Sequence, residues 1–165
     1  DDKPVLILYN RLSTFDPMVM NYVFKRFITG FYNKLFIENF RPRTLWKVLR
    51  EVGFVYVDPK SKPVRSKAVA ETKRSFENKE AMMMYIEGDI FSGSQLKVRW
   101  IVYEIIKRYD PLVIPVYMNT PFEGTAPKKG ARPYVWIGEP LHKEDILEGK
   151  GFFMLKVFKK LSKQL

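Results

Sequence analysis

Val5-Leu6-Ile7-Leu8-Tyr9, then Asn10-Arg11-Leu12-Ser13-Thr14-Phe15, then Asp16-Pro17, is the stretch on which the fold turns. Five apolar residues in a row, without polar alternation, read as a strand buried on both faces, as in parallel sheets. Asp16-Pro17 reads as a helix start, with the acid as cap and proline in the first turn, where its missing N–H costs nothing. Met20, Val23, Phe24, Phe27 and Phe31 follow at helical spacing, so the helix is expected to run on to about Gly30.

Outward from this stretch, strands and helices keep alternating. Arg43 to Glu51 reads as a helix stopped by Gly53, and Phe54 to Val57 as a strand ended by Asp58-Pro59. Lys60 to Arg65, rich in proline and basic residues, reads as an exposed loop before a polar helix from Ser66 to Lys79 carrying Ala68, Ala70 and Phe76. Met82 to Ile86 is a third apolar strand, its methionines read as core. From Gln95 to Tyr109 a broad stripe of Val98, Ile101, Val102, Ile105, Ile106 and Tyr109 marks a clear helix. Leu112 to Met118 is a fourth strand, in which Pro115 implies a strand end or an irregularity. Thr120 to Arg132 is loop, and Tyr134 to Ile137 a fifth strand. Phe153 to Leu165 is a closing amphipathic helix with Lys156, Lys159, Lys160 and Lys163 outside; its stripe of Met154, Phe158, Leu161 and Leu165 is expected to pack on the domain, the alternative being that the basic helix lies on an anionic membrane. The expectation is one domain over residues 1–165, of α/β class, with a largely parallel central sheet and helices on both faces.

The chain has 165 residues and a hydrophobic fraction of 46%, enough for a core. With no cysteine and a single histidine, His142, disulfides, cysteine-ligated zinc and multi-histidine metal sites are excluded. The missing cysteines fit an intracellular setting. No signal peptide is read at the acidic start, Asp1-Asp2, and no apolar run approaches the roughly 20 residues that span a bilayer. The abrupt opening on a strand leaves room for a segment upstream. The net charge of +11 attracts anions, whether nucleic acid, anionic lipid or phosphorylated small molecules, and equally fits a surface that is merely well solvated.

The Asn10–Pro17 stretch resembles the first motif of the glycerophospholipid acyltransferases, which act on glycerol phosphate and lysophosphatidate: Asn-His, four residues, Asp, often with Ser inside and Pro after. Asn10, Ser13, Asp16 and Pro17 fit; Arg11 stands where the family has histidine. Gly53 to Asp58 is similar to the second motif, with Pro59 at the arginine position. Tyr85-Ile86-Glu87-Gly88-Asp89 resembles Phe-Pro-Glu-Gly-Thr followed by Arg, with Glu87 and Gly88 kept and Asp89 and Ile90 replacing Thr and Arg. Val113-Ile114-Pro115-Val116 resembles the fourth, Val-Pro-Val strand, which also accounts for Pro115. The blocks follow in the family's order and rough spacing, and cover most of the chain.

The resemblance implies an α/β sandwich and a reaction in which an acyl group moves from a coenzyme A or acyl-carrier-protein thioester to a glycerol hydroxyl. These thioesters would be co-substrates, and no bound cofactor is expected. In the family the histidine takes the hydroxyl proton and the aspartate orients it. Arg11 cannot: guanidinium has only donors and stays charged, with a pKa above ~12. General-base catalysis typically supplies about 10²–10⁴ in rate. Arg11 and Asp16 are thus degenerate dyad positions, and Asn10, Ser13, Glu87, Gly88 and Asp89 the expected substrate-binding positions. An Arg11–Asp16 ion pair and an Arg11-bound phosphate or carboxylate both remain open. So do plainer roles: Asp16 as a helix cap, Glu87-Gly88 as a turn after a buried strand.

Two sequence features compete for attention. Phe122-Glu123-Gly124-Thr125 copies the third motif more literally, but follows the Val-Pro-Val strand instead of preceding it, and reads as an exposed turn. A phosphate loop built with Lys128, Lys129 and Arg132 is the sharper alternative. His142 follows Gly138-Glu139-Pro140-Leu141 on a surface loop, with nothing to place it near Asp16.

The leading expectation is an acyltransferase-fold protein, impaired at its catalytic site, that binds an acyl or phospholipid-like ligand or a partner. It would be cytoplasmic, with peripheral contact at the anionic inner face of a membrane. An active, atypical acyltransferase, with Asp16, Glu87 or the substrate as base, is a second reading. A nucleic-acid-binding module is a third, resting on charge alone, since no RNA-reading sheet motif or helix-turn-helix pattern is present.

Overall fold

In the computed structural model, residues 3–10, 16–25, 28–33, 47, 51, 54–57, 61–86, 100–119, 122–123, 126–127 and 134–163 are described. The elements are β1 (Val5–Tyr9), α1 (Asp16–Val23), β2 (Thr29–Asn33), β3 (Val55–Val57), α2 (Lys62–Glu77), β4 (Met82–Tyr85), α3 (Trp100–Tyr109), β5 (Leu112–Asn119), β6 (Phe122–Glu123), β7 (Ala126–Pro127), β8 (Tyr134–Ile137) and α4 (Lys143–Ser162). Six strands form one sheet in the order β3-β2-β4-β1-β5-β8. Every pairing is parallel except β5 with the edge strand β8. The expected fold class is therefore the observed one.

The continuous apolar runs are explained by a core on each face. Leu6, Leu8, Met82, Met84 and Val113 point to one side, where they pack with Ala68 and Phe76 of α2, Ile105 and Ile106 of α3, and Met154 and Phe158 of α4. Ile7, Tyr9, Met83, Val116 and Met118 point to the other, against Met20 of α1. The handedness follows. The chain leaves β1 through α1 and travels one way along the sheet to β2, whereas β4 travels the other way through α3 to β5. Right-handed crossovers put helices of opposite travel on opposite faces.

Several elements depart from the sequence expectation. The first helix does not reach Gly30. It ends at Val23, with Lys25 in the left-handed region at φ 50, and Asn21 ties down the returning chain by accepting the Ile28 N–H. Thr29 to Asn33 is then a strand between β3 and β4. A Cβ on Gly30 would lie 2.9 Å from Met83 Cγ and 3.0 Å from the Met83 carbonyl, so glycine lets β2 and the Met83 side chain share the space. α2 starts at Lys62 with Pro63 in its first turn, so the basic stretch before Ser66 is partly helix; proline needs no N–H partner there. α4 starts at Lys143, with Glu144 and Asp145 in its first turn, ten residues before the predicted start. Its Met154, Phe158 and Leu161 are buried and its four lysines exposed, as expected. Of the predicted helix at Arg43 to Glu51, Lys47 and Glu51 are helical, and the other residues lie outside the described ones.

Pro115 sits inside β5, not at its end. Its carbonyl accepts the Gly138 N–H at 2.8 Å, so its nitrogen faces the same β8 side. There the ladder slips: Val113 bridges Leu141 while Val116 pairs Ile137, so the β8 side carries one residue more than β5. This bulge is the irregularity that Pro115 implied, and it accommodates the missing donor.

Candidate active site

In an open α/β sheet the loops at the carboxyl ends of neighbouring strands splay apart where their helices go to opposite faces, and the crevice between them is the natural ligand site. Here that place lies between β1 and β4, whose chains leave toward α1 and α3 on opposite faces. The residues that end these strands are in register, Tyr9 beside Tyr85, with ring centroids 4.8 Å apart. The Ile86 N–H donates to the Tyr9 carbonyl at 2.9 Å, carrying the ladder one step beyond β4. The first-motif segment thus begins at Asn10 beside the strand end that leads into Glu87.

Asn10 is buried, and its side chain takes over where the β1–β5 ladder stops. Its Oδ1 accepts the Met118 N–H at 2.7 Å and its Nδ2 donates to the Met118 carbonyl at 2.8 Å. A primary amide presents the same donor–acceptor pair as a peptide, so Asn10 closes the ladder as a further strand residue would. Expected among the substrate-binding positions, Asn10 is seen here gripping the backbone of β5. Asn10 of the first motif, the Tyr85-Ile86 start of the third and the end of the strand that carries the fourth thereby meet at one rim. The second is not beside them: β3 lies at the sheet edge, with β2 between it and β4, about 10 Å from β4 at normal strand spacing.

Asp16 opens α1 and is fully buried. A carboxylate there lies in the first helical turn, where the helix dipole favours negative charge. Burial requires it to be partnered, and it is. Arg11, Ser13, Glu87, Gly88 and Asp89 lie outside the described residues, as does the expected Arg11–Asp16 ion pair. So do Gly124, Thr125, Lys128, Lys129 and Arg132, although β6 and β7 on either side of Gly124-Thr125 pair antiparallel.

His142 is exposed at the N-terminal boundary of α4, with no side-chain cap bond. Its neighbour Leu141 bridges Val113 at the start of β5, whereas Asn10 grips Met118 near the end. Five strand residues separate the two levels, about 17 Å, so His142 belongs to the opposite rim. Met118 was missed by sequence reasoning, and no side-chain signal marks it, because its backbone does the work.

The acyltransferase family model matches residues 1–119. The chain belongs to the acyltransferase family. The match takes in β1 through β5, hence the Asn10–Asp16 segment and the strand that anchors it, and bears out the resemblance drawn from the four motifs. In three dimensions this acyltransferase-family chain is similar to the crystal structure of PlsC, the 1-acyl-sn-glycerophosphate (LPA) acyltransferase from Thermotoga maritima. The TM-score is 0.70 at 16% identity, over 99% of this chain and 67% of that one; at this identity the likeness is one of fold. Comparison with curated protein sequences gives no match. Among the described residues no helix is long and apolar enough to cross a membrane.

Proposed function

We propose that this acyltransferase-family chain holds a phosphate-bearing acyl or glycerophospholipid-like ligand at the rim between β1 and β4, and is impaired in acyl transfer. One observation carries the reading: Arg11 follows the anchored Asn10 at the position where the family's first motif has its histidine. A guanidinium offers five donors to an anion and accepts no proton at any ordinary pH. The site would thus keep its attraction for a phosphate or carboxylate while losing the base that activates the hydroxyl. Pro59, Asp89 and Ile90, where the family motifs have arginine, threonine and arginine, favour the impairment, since they change the phosphate-facing positions as well and leave Arg11 as the group that would attract the anion. Acyl-CoA or acylated acyl-carrier protein would enter only as acyl donor, leaving as the free thiol, with nothing resident.

The test has two arms on the unaltered full chain. Thiol release from acyl-CoA in the presence of lysophosphatidate or glycerol 3-phosphate is expected to stay at background. Equilibrium dialysis against radiolabelled acyl-CoA and lysophosphatidate is expected to show saturable binding that weakens in Arg11→Ala. Turnover that disappears in Asp16→Ala would make the chain an active acyltransferase with a different base. Salt-dependent binding of random-sequence RNA or DNA, with no binding of either lipid ligand, would favour the nucleic-acid reading.

A further inference from the structure

We propose that the outer stripe of α1, Met18 and Tyr22 with Lys25 just beyond, is the surface through which the protein docks on an anionic lipid bilayer. The side of a surface helix that faces water is normally polar. On α1 it is not. Met18 is 67% exposed and Tyr22 85% exposed, four positions apart and therefore stacked on one face. Lys25, three further on, is exposed as well. Met20, on the opposite side, is fully buried against the sheet, so the stripe is not a core face left bare by a local shift.

The other apolar stripe that suits a membrane is already used. α4 buries Met154, Phe158 and Leu161 in the core, so its lysines flank a packed face. The occupant of the α1 stripe follows from chemistry and charge. Residues 11–28 carry Arg11, Lys25 and Arg26 against a single acid, Asp16, and Asp16 is fully buried. The chain as a whole carries +11. A methionine that adapts to an irregular apolar surface, a tyrosine with an apolar ring and a polar tip, and cationic charge alongside are what a headgroup boundary accepts.

The placement has a consequence for the site. α1 begins at Asp16, and Tyr22 lies about 9 Å along its axis from there at 1.5 Å per residue. Docking through the stripe would bring Asp16, at the start of α1, toward the lipid surface, so an amphiphilic ligand would reach the site without crossing water. In this it deepens the lipid-ligand reading of the site, while the docking itself can be tested without that ligand.

The chain has no cysteine, so Tyr22→Cys gives a unique attachment point for an environment-sensitive fluorophore, with Tyr134→Cys on the edge strand as control. The full chain is cosedimented with phosphatidylglycerol vesicles and, separately, with phosphatidylcholine vesicles. Expected are binding to phosphatidylglycerol in preference to phosphatidylcholine, a blue shift of the probe at position 22 and none at 134. Partitioning of Met18→Ser/Tyr22→Ser should be at least about tenfold weaker, while Ile137→Ser, which removes another exposed apolar side chain, should bind as the unaltered chain does. Equal binding to both vesicle types, an aqueous probe at position 22 on sedimented protein, or full partitioning of the double variant would each overturn the proposal. Binding of acyl-CoA below its micelle concentration, measured without vesicles, separates the two readings: its loss in the unaltered chain counts against the ligand site and leaves the docking result standing.

Discussion

Asn10 and Met118, 108 positions apart in the chain, are joined by a two-way clasp in which one side-chain amide satisfies both the N–H and the carbonyl of one backbone residue. Both groups are buried with Met118. Asn10→Ala strands them, and should cost about 1–3 kcal/mol in urea unfolding. Asn10→Asp keeps an acceptor for the Met118 N–H but sets a carboxylate against the Met118 carbonyl, so at neutral pH it should be at least as destabilising as Ala. Asn10→Asp with unaltered stability would contradict the clasp.

Gly30 and Met83 make a second specific fit. Gly30→Ala puts a methyl group 2.9 Å from Met83 Cγ and 3.0 Å from the Met83 carbonyl. Overpacking of this kind typically costs about 1–3 kcal/mol. Because the side chain can yield and the carbonyl cannot, Gly30→Ala/Met83→Ala should show a coupling that recovers only part of the Gly30→Ala loss, in a double-mutant cycle by chemical denaturation.

How legible all this was in the sequence depended on whether local signals agreed with the tertiary arrangement. β1, β4 and β5 were readable because strands buried on both faces leave continuous apolar runs, and β8, though an exposed edge strand, because Tyr134 to Ile137 are all strand formers. β2 was not, because Phe27 and Phe31 fall at helical spacing from Met20 and Phe24, and the period outweighed the strand preference of Thr29, Phe31 and Tyr32. The αL conformation at Lys25 that ends the helix has no glycine to announce it. Pro63 read as a loop residue because proline is equally at home in a loop and in a first helical turn. At the site, motif order singled out Asn10 and Asp16 as candidates, whereas the partner of Asn10 is a backbone, which no residue pattern encodes.

Tyr103 keeps a buried hydroxyl without a hydrogen-bond partner among the described residues. Burial pushes its pKa above the usual tyrosine value. Tyr103→Phe removes the orphan group and should leave neutral-pH stability equal or raise it by up to about 1 kcal/mol. With a folded pKa above the unfolded one, the neutral phenol's contribution is full below about pH 10 and is lost as the pH rises through the folded value. The variant should therefore lose less stability than the unaltered chain between pH 9 and about pH 11, read as melting temperature.

Lys3 and Asp110 meet at 2.8 Å beside the start of β5, and the hydrogen bond to Asp110 raises the lysine pKa. The folded pKa lies above the unfolded one, so this contribution is present below about pH 10 and fades as the pH rises through the folded value. The pair is exposed, so the effect is small and weakened by salt. Lys3→Gln should lower the melting temperature slightly at pH 7 in low salt, and the difference from the unaltered chain should close at strongly alkaline pH. A difference that grows with pH would contradict the assignment.

The central claim, that Arg11 stands where an acyltransferase base would and disables the reaction, is met most directly by thiol release from acyl-CoA with lysophosphatidate as acceptor, comparing the unaltered chain with Arg11→His. The account predicts background release from the unaltered chain and a gain of about 10²-fold or more in Arg11→His, abolished when Asp16→Ala is added. Robust release by the unaltered chain that Arg11→His leaves the same or lowers would contradict it.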